Sequence, residues 1–595
     1  MYQSYWGKSD KANPNFHHLF AYHSLDVVAV ADAWWQASAN LRRCFAQATG
    51  LPEAQTRAWL LFFIALHDIG KLDIRFQSKV KSLAEKIYSE PLPQNGIKNY
   101  FHGDRGYAWF VADSEQLKIK SKSRRWLQNG LAQVAGHHGS IPVKAELDYF
   151  PNAQDQQARL AWITRVEQLF LTPVGLTLNN IPRSSPPVLL AGFCSICDWL
   201  GSNEHYFPYQ NQAIELDDYL LEKQKVAHQV LTDFGLLAQA KNNTGMASLY
   251  PQLSAHNIQT LIEQLAVQPC LVLMEANTGS GKTEAALALA SRLLSANLAE
   301  SITFALPSQA TANAMFDRLE SVIGRLFDDS PHLILAHGKS QFNPHFTQII
   351  QQQAQKQNIQ QQEEANAQCS EWLASSRKRA FLGACAVTTV DQVLLSAIKS
   401  VRHHFVRQFG IGKSVLIVDE VHAYDAYMYG LLTAVISQQK QAGGSVILLS
   451  ATLASQQKQD LCAAWGVEAT GLDNRYPLIL QVTENKLNSF TLDHEIPPST
   501  VKIERWSSSD LRLDEAQLAR IVAEVRRGQR CGIVCNLVDD AQTIAQKLSQ
   551  YNQIPVDLFH SRYRFCDRMS IEQTVIEKYG KDAPATGRVL VATQV

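Results

Sequence analysis

Two groups of residues in this 595-residue chain have side chains suited to phosphate chemistry. The first is contiguous. Ala276, Asn277, Thr278, Gly279, Ser280, Gly281, Lys282 and Thr283 follow the apolar run CLVLME and precede the helix-like TEAALALASRLL. Strand, glycine loop and helix in that order make a phosphate cradle. Gly279 and Gly281 let backbone N–H groups turn inward, and the helix adds its positive N-terminal end. Lys282 is placed to neutralise the β and γ phosphates of ATP, and the Thr283 hydroxyl to hold Mg²⁺. Ala276 stands where the strict pattern has glycine. The acidic partner is Asp419–Glu420, which closes the apolar run SVLIV (414–418). Asp419 is the expected Mg²⁺ ligand, and Glu420 is expected to polarise the attacking water.

The second group is dispersed. His67 and Asp68 adjoin in LHDIGK, where Gly70 is expected to end an apolar helix. His23 lies in AYHSLD, His102 in FHGD, and His137 and His138 in AGHHGS. Asp198 sits in apolar AGFCSICDWLG, where a charge is costly to bury unless a cation or partner offsets it. Taken singly, each histidine reads as a hydrogen-bonded core residue. Asp198 alone reads as a helix cap, and His137–His138 as a turn beside Gly139. His17–His18 and His403–His404 carry no motif and are expected at the surface.

Two regimes of hydrophobic patterning must position these groups. Residues 1–240 read as mostly helical, with apolar positions at helical spacing in Ser24–Trp35, Arg57–Leu66, Leu160–Phe170 and Val188–Leu200. From about residue 270, short apolar runs at Cys270–Met274, Ile302–Leu306, Val415–Val418 and Val446–Leu449 alternate with helical stretches. That pattern predicts a doubly wound α/β domain with a buried parallel sheet. The polar stretch Ala238–Ser248 is the expected linker. Pro497, Pro498 and a serine run suggest a second boundary, after which Gly532–Cys535, Val556–Leu558 and Val589–Ala592 look like strands of another α/β unit. The expected domains are 1–240, 241–485 and 486–595. The Gln-rich tract Gln348–Gln368 reads as an exposed helix or insertion.

Composition sets outer limits. The 55 Lys+Arg balance 55 Asp+Glu, which excludes a polybasic DNA-coating protein but not a local nucleic-acid groove. No apolar run reaches membrane-spanning length, and the N-terminus lacks a signal-like core, so no membrane partner is expected. The ten cysteines form no disulfide framework, and a reducing cytoplasm is the expectation. Cys194 and Cys197 lack a second ligand pair and read as core thiols. The basic clusters Lys118–Arg125 and Arg377–Arg379 read as solvated faces, with DNA phosphates as the alternative.

The motifs also carry resemblances. DEVH (419–422) resembles the DEAD/DEAH box of superfamily 2 helicases, and LLSATL (448–453) their SAT motif. There Ser450, Ala451 and Thr452 are implied to couple ATP hydrolysis to strand movement. ALPSQATANAMFDRL (305–319) and TTVDQVLL (388–395) resemble DNA-contacting motifs. GIVCNLVDDAQ (532–542) and LFHSRY (558–563) resemble the opening of a second RecA-like lobe. The pattern H…HD…H…HH…D resembles the HD superfamily of metal-dependent phosphohydrolases. This implies His23, His67, Asp68, His102, His137, His138 and Asp198 as ligands of two divalent cations, with Asp68 bridging. An imidazole-rich donor set favours iron, manganese, nickel or cobalt over magnesium. Lys71 could steady the phosphate or the leaving group, so His67, Asp68, Lys71 and Glu420 are the implied catalytic residues.

An HD domain ahead of a helicase resembles the CRISPR-associated helicase–nuclease of type I systems. YWGKS (5–9), YHSLDVVAVADAWW (22–35) and AWLLFFIALHDIGKLDIRFQ (58–77) look like the Cascade-linked subtype. The fold implied is an all-α HD domain followed by α/β RecA-like helicase lobes, the second incomplete. The function implied is recruitment to a Cascade–CRISPR RNA R-loop, nicking of single-stranded DNA, then ATP-driven 3′-to-5′ unwinding with degradation. The resemblance stops at RVLVATQV, before the arginine-rich motif that normally stabilises the transferring phosphate. ATP binding with weak or no hydrolysis is the consequent expectation. Two other readings stay open at this point. One is a phosphohydrolase for small nucleotides, and the other a non-enzymatic binder of DNA or Cascade.

Overall fold

The structure is a computed structural model. It describes all residues except 1, 11–12, 14–15, 145, 148–151, 182–184, 243–244, 329–330, 357–370, 470, 474, 493–499, 508–512, 552–553, 581–582, 585 and 594–595. The chain divides into two compact units, residues 1–494 and 495–595.

The first unit begins with an antiparallel pair, β1 (Trp6–Ser9) and β2 (His17–Leu19). This pair feeds the helix Phe20–Ala37, which is buried from Phe20 to Trp35. A helix apolar on every side belongs in the middle of a helical layer, and this one is flanked by helices Glu53–Ala65 and Leu190–Gly201. Close approach to the latter depends on Gly201, where a Cβ would lie 2.9 Å from the Val27 nitrogen. Helices His102–Asp113 and Ser121–Ala135 complete the face that holds the histidines.

The α/β part of this unit is an eight-stranded sheet. Its strands in chain order are β3 (Leu271–Glu275), β4 (Ser301–Leu306), β5 (Leu333–Ala336), β6 (Cys385–Thr389), β7 (Ser414–Val418), β8 (Ser445–Ser450), β9 (Leu478–Val482) and β10 (Leu487–Thr491). Their spatial order is β10-β9-β3-β8-β7-β4-β6-β5. The first six strands run parallel and are buried along their length, as near-continuous apolar runs require. Antiparallel β9 and β10 extend the edge beside β3. β10 belongs to this sheet, so the boundary falls after it rather than at 485. The expected linker is not free either: Ala240 bridges Phe327, and Lys241 donates to the Leu326 carbonyl. Nor does the helical domain stand apart, because Trp34 and Phe193 meet Phe409 at ring distances of 5.4 and 5.7 Å.

The second unit, described by itself, is a parallel sheet of order β11-β13-β12. Its strands are β11 (Arg530–Cys535), β12 (Val556–Phe559) and β13 (Arg588–Thr593). Helices Glu515–Arg526 and Val538–Ser549 cover it through Leu518, Val522, Ala541 and Leu548, against Val589 and Val591.

Some surface expectations need correction. His18 is 1% exposed and sits 2.7 Å from buried Asp26, a carboxylate that needs a partner there. His403 is also buried, against the Trp199 ring, while His17 and His404 are half-buried. The Gln-rich tract starts in helix Pro344–Lys356, and its remainder lies outside the described residues. Lys118, Lys120, Lys122 and Arg125 are exposed, whereas Arg379 stacks on Trp372 at 4.8 Å. Cys194 and Cys197 are buried free thiols.

Candidate metal centre and nucleotide site

Five segments bring the dispersed group together. His23 sits one turn into helix Phe20–Ala37, and Asp198 lies near the end of helix Leu190–Gly201. His67 and Asp68 occupy the turn after helix Glu53–Ala65, which has ended before them at Leu66. Gly70 therefore does not end that helix. Its requirement is steric, because a Cβ there would lie 1.9 Å from the His102 carbonyl oxygen, where helix His102–Asp113 crosses. His137 and His138 form the turn after helix Ser121–Ala135.

Asp68 lies at the middle of the cluster. Its Oδ1 is 3.0 Å from His102 Nε2 and 3.4 Å from His137 Nε2, and its Oδ2 is 3.0 Å from His23 Nε2 and 3.3 Å from His67 Nε2. The Lys71 ammonium approaches Oδ2 to 2.5 Å. Asp198 Oδ1 faces His23 at 3.6 Å and His67 at 3.7 Å, and His138 Nε2 is 2.7 Å from His102 Nε2. The donor atoms fall into two sets of metal-binding proportions, Asp68–His102–His137–His138 and His23–His67–Asp68, which share Asp68. Bonds of about 2.1 Å from a cation to N or O ligands put neighbouring ligand atoms roughly 3.0–3.4 Å apart, the spacing seen here.

Hydrogen bonding supports the same reading. His23 Nε2, His67 Nε2, His137 Nε2 and both Asp68 oxygens are buried with no hydrogen-bond partner. Buried polar atoms without hydrogen bonds are costly, and five converging on one point fit cations, with Lys71 offsetting part of the charge at Oδ2. The Nδ1 atoms of His67 and His137 each lie 2.8 Å from a carbonyl, of Ile64 and Val134. A carbonyl only accepts, so the proton is on Nδ1 and the Nε2 lone pair faces the centre, the tautomer of a ligating imidazole.

The carboxylates dominate the electrostatics. Burial opposes charge on Asp68, yet Lys71, His67 and His102 hold it well below the usual carboxylate range. Burial likewise opposes protonation of His67, but Asp68 and Asp198 lift it to about 9, so a proton and a cation compete for the same Nε2. Burial pushes His102 down to about 4 and His138 to about 3.

Sequence reading missed the groups that hold this centre. The Ser195 hydroxyl donates to the His137 carbonyl at 3.2 Å. Arg402, from the α/β part, donates to the His138 carbonyl through Nε (3.2 Å) and Nη2 (3.0 Å), and the His403 N–H donates to the Gly139 carbonyl at 3.0 Å. Gly139 has φ +126°, and a Cβ there would lie 2.5 Å from Arg402 Cγ. Nothing in the sequence hinted at this clasp, since Arg402 and His138 are 264 positions apart.

The nucleotide site is local. The loop after β3, the acidic pair after β7 and the SAT motif after β8 lie at the ends of three adjacent strands, where α/β sheets bind ligands. Gly279 and Gly281 have φ +77° and +83°. The Lys282 ammonium donates to the Ala276 (2.5 Å) and Asn277 (3.0 Å) carbonyls, and helix Lys282–Ser295 opens directly behind the loop. Glu420 takes φ +53°, and its N–H donates to Asp419 Oδ1 at 2.9 Å. Burial raises Asp419 and lowers Lys282. His422 Nδ1 lies 3.2 Å from the Ser450 hydroxyl, which donates to the Thr452 carbonyl at 2.9 Å. The loop carrying Ala451 is pinned to β3, because the Leu453 N–H donates to Glu275 Oε1 at 2.6 Å and Lys458 pairs with Oε2. Gln259, unmarked in the sequence reading, packs against Gly281, where a Cβ would lie 2.0 Å from its Nε2.

A helical HD domain whose histidines surround one aspartate, joined to a P-loop sheet with a DEVH strand end, defines an HD domain fused to a superfamily 2 helicase. Residues 6–207 match the family described as Cas3, HD domain, and residues 256–461 the DEAD/DEAH box helicase family. Residues 527–595 match CRISPR-associated nuclease/helicase Cas3, C-terminal. The CRISPR-associated endonuclease/helicase Cas3 of Escherichia coli is 43% identical, over 99% of this chain and 71% of the relative. That of Thermus thermophilus is 31% identical, over 99% and 69%. A crystal structure of T. fusca Cas3 with AMPPNP superposes with a TM-score of 0.82 at 25% identity, covering all of this chain and 69% of the other. The chain belongs to the Cas3 family of CRISPR-associated nuclease/helicases, enzymes with nuclease and helicase activity.

Proposed function

We propose that this chain cuts single-stranded DNA at a two-cation centre that Asp68 would share, and that ATP and Mg²⁺ held at residues 276–283 and 419–420 drive 3′-to-5′ movement along DNA, a reading that family membership supports over the weak or absent hydrolysis expected from the motifs alone. The observation that carries the nuclease reading is the pair of buried, hydrogen-bond-free Asp68 oxygens, each facing its own set of imidazoles. His23, His67 and Asp198 would hold one cation, and His102, His137 and His138 the other. Bound divalent cations, of iron, manganese, nickel or cobalt, would activate a water and offset charge on the attacking and leaving oxygens of a phosphodiester. The chain's own residues do the rest. Backbone carbonyls fix the imidazole tautomers of His67 and His137. The Lys71 ammonium, on the Asp68 Oδ2 side, is placed to steady the scissile phosphate or leaving oxygen. Burial keeps bulk water from competing.

On the helicase side, Lys282 and the loop amides would cradle the phosphates, Thr283 and Asp419 would hold Mg²⁺, and Glu420 would polarise water. The contact between His422 and Ser450 supports a role for Ser450, Ala451 and Thr452 in passing the state of the acidic pair to the DNA-facing loops. Family membership supports recruitment by a Cascade complex with CRISPR RNA to R-loop DNA in the cytoplasm, and among the described residues no helix is long and apolar enough to cross a membrane.

The test uses circular single-stranded DNA with added manganese, cobalt or nickel, with deoxynucleoside triphosphates in a parallel arm. His67→Ala and Asp68→Ala are expected to abolish nicking. Retained nicking by both folded variants would remove the assignment, and hydrolysis confined to the triphosphates would favour a small-nucleotide substrate.

A further inference from the structure

Beside the metal centre lies a second, basic cleft that the proposed mechanism leaves unused. It encloses about 690 Å³ between β1 and the turn after helix Ile74–Gln77, with Lys8, Ser9, Lys79, Lys81 and Ser82 on its walls and Trp6 and Tyr209 at its sides. Asp10 is its one described acidic group, so three ammonium groups face one carboxylate.

The walls are fixed to each other. The Trp6 N–H donates to Gln77 Oε1 (3.2 Å), the Trp6 indole N–H to the Gln77 carbonyl (3.3 Å), and the Gln77 amide back to the Trp6 carbonyl (2.9 Å). A cleft held by three hydrogen bonds is formed before any ligand arrives, which lowers the ordering cost of binding.

Its lysines are available. Lys8 pairs with β2 through its backbone, but its side chain makes no hydrogen bond or ion pair with the described residues and burial lowers it to about 8, while Lys79 is held by cation–π contacts with Phe76 (4.9 Å) and Tyr100 (5.8 Å) and a bond to the Tyr100 carbonyl (3.2 Å). None of these neutralises the ammonium charge. Lys81 has only a loose, exposed pairing with Glu85 at 3.6 Å.

The cleft and the metal centre share a wall. The Phe76 ring packs on Trp6 at 4.7 Å and on the His102 ring at 5.5 Å, and Lys71 of the metal centre lies over it at 5.7 Å. On the other side, a Cβ at Gly7 would come within 3.2 Å of His23 Cβ. The Phe76 ring and the β1 strand at Gly7 therefore separate the cleft from residues that surround Asp68. A polymer cut at Asp68 must place its neighbouring phosphates somewhere close, and each carries a charge that lysines can neutralise.

From this placement we propose that the cleft formed by Lys8, Lys79 and Lys81 holds the phosphodiester backbone of single-stranded DNA adjoining the phosphate at the metal centre. The inference rests on the nuclease reading above. It makes Lys8, Lys79 and Lys81 binding residues of that site, with Ser9 and Ser82 as neutral donors.

The test measures binding of a short fluorescent oligothymidylate to the full chain by polarisation, in EDTA so that nothing is cut, across a salt series. Lys8→Ala and the double variant Lys79→Ala/Lys81→Ala are each compared with the unaltered protein. Each lost phosphate contact on a single strand is expected to lower the slope of log K against log salt by about 0.7. The double variant should therefore lose about 1.4 in slope, and the charge-preserving Lys79→Arg/Lys81→Arg should restore it. Unchanged slopes in both alanine variants would overturn the proposal. So would displacement of the oligonucleotide from these lysines by inorganic phosphate at matched ionic strength, which would make the cleft a small-anion site. Hydrolysis of bis(p-nitrophenyl) phosphate by the unaltered, metal-loaded protein tests the metal centre separately, because that substrate has no neighbouring phosphates. A chain that cuts it yet shows no slope change loses only the cleft, and a chain that cannot cut it loses the nuclease reading itself.

Discussion

The two chemical sites of the first unit are built in opposite ways. The nucleotide site is a run of eight residues completed by the ends of neighbouring strands, and much of it stays open to solvent. Its polar groups bond within the loop, as Lys282 does to Ala276 and Asn277. The candidate metal centre gathers side chains from positions 23 to 198, buries all but His102 and His138, and leaves His23, His67, His137 and Asp68 with polar atoms that make no hydrogen bond. A local motif can tolerate movement of its surroundings because one loop carries most of the geometry. A centre assembled from five segments depends on every packing contact between them, and so is sensitive to changes that never touch a ligand.

The largest expected effect is removal of the shared carboxylate. Asp68→Ala should lower nicking of single-stranded DNA by about 10³-fold or more, since stabilisation of several kcal/mol by cations is lost with the bridge. Single-turnover cleavage assays would measure it, and a loss below about tenfold would erase the contrast between the two sites. Next is the motor. Lys282→Ala should abolish ATP-dependent unwinding while single-strand nicking persists, and loss of both in a folded variant would show that the sites are not separable. A purely steric change should hurt the dispersed site. Gly70→Ala drives a Cβ into the His102 carbonyl and should cost about 1–3 kcal/mol of stability by denaturant unfolding, with weakened metal binding. The smallest effect belongs to Arg402, which is exposed. Arg402→Ala frees the His138 carbonyl and should weaken metal binding by about tenfold, read by calorimetry, with Arg402→Lys recovering part of it.

Legibility in the sequence followed the same division. Four of the six parallel strands, β3, β4, β7 and β8, showed as apolar runs between helical stretches, whereas β5 and β6 were not anticipated, and the loop and acidic pair could be placed by adjacency alone. β9 and β10 were not anticipated, because antiparallel edge strands after the SAT motif carry no local marker, and the 485 boundary cut through the sheet's edge. The ligand candidates were visible as residue types, but only resemblance joined them, since spacing cannot say that His23 and Asp198 meet. His18 and His403 were misplaced at the surface because their partners, Asp26 and Trp199, show themselves only in three dimensions. Arg402 had no signal, as it acts across the fold on a backbone carbonyl, and Lys8 was marked only as part of YWGKS, with no role attached.

The most direct test of the central claim is a count of bound metal. The purified chain, stripped and then equilibrated with manganese or cobalt, should hold two ions per molecule by mass spectrometry of the metal content, and Asp68→Ala should hold one or none. An unaltered chain that binds no metal above background, or an Asp68→Ala variant that keeps both ions, would contradict the account.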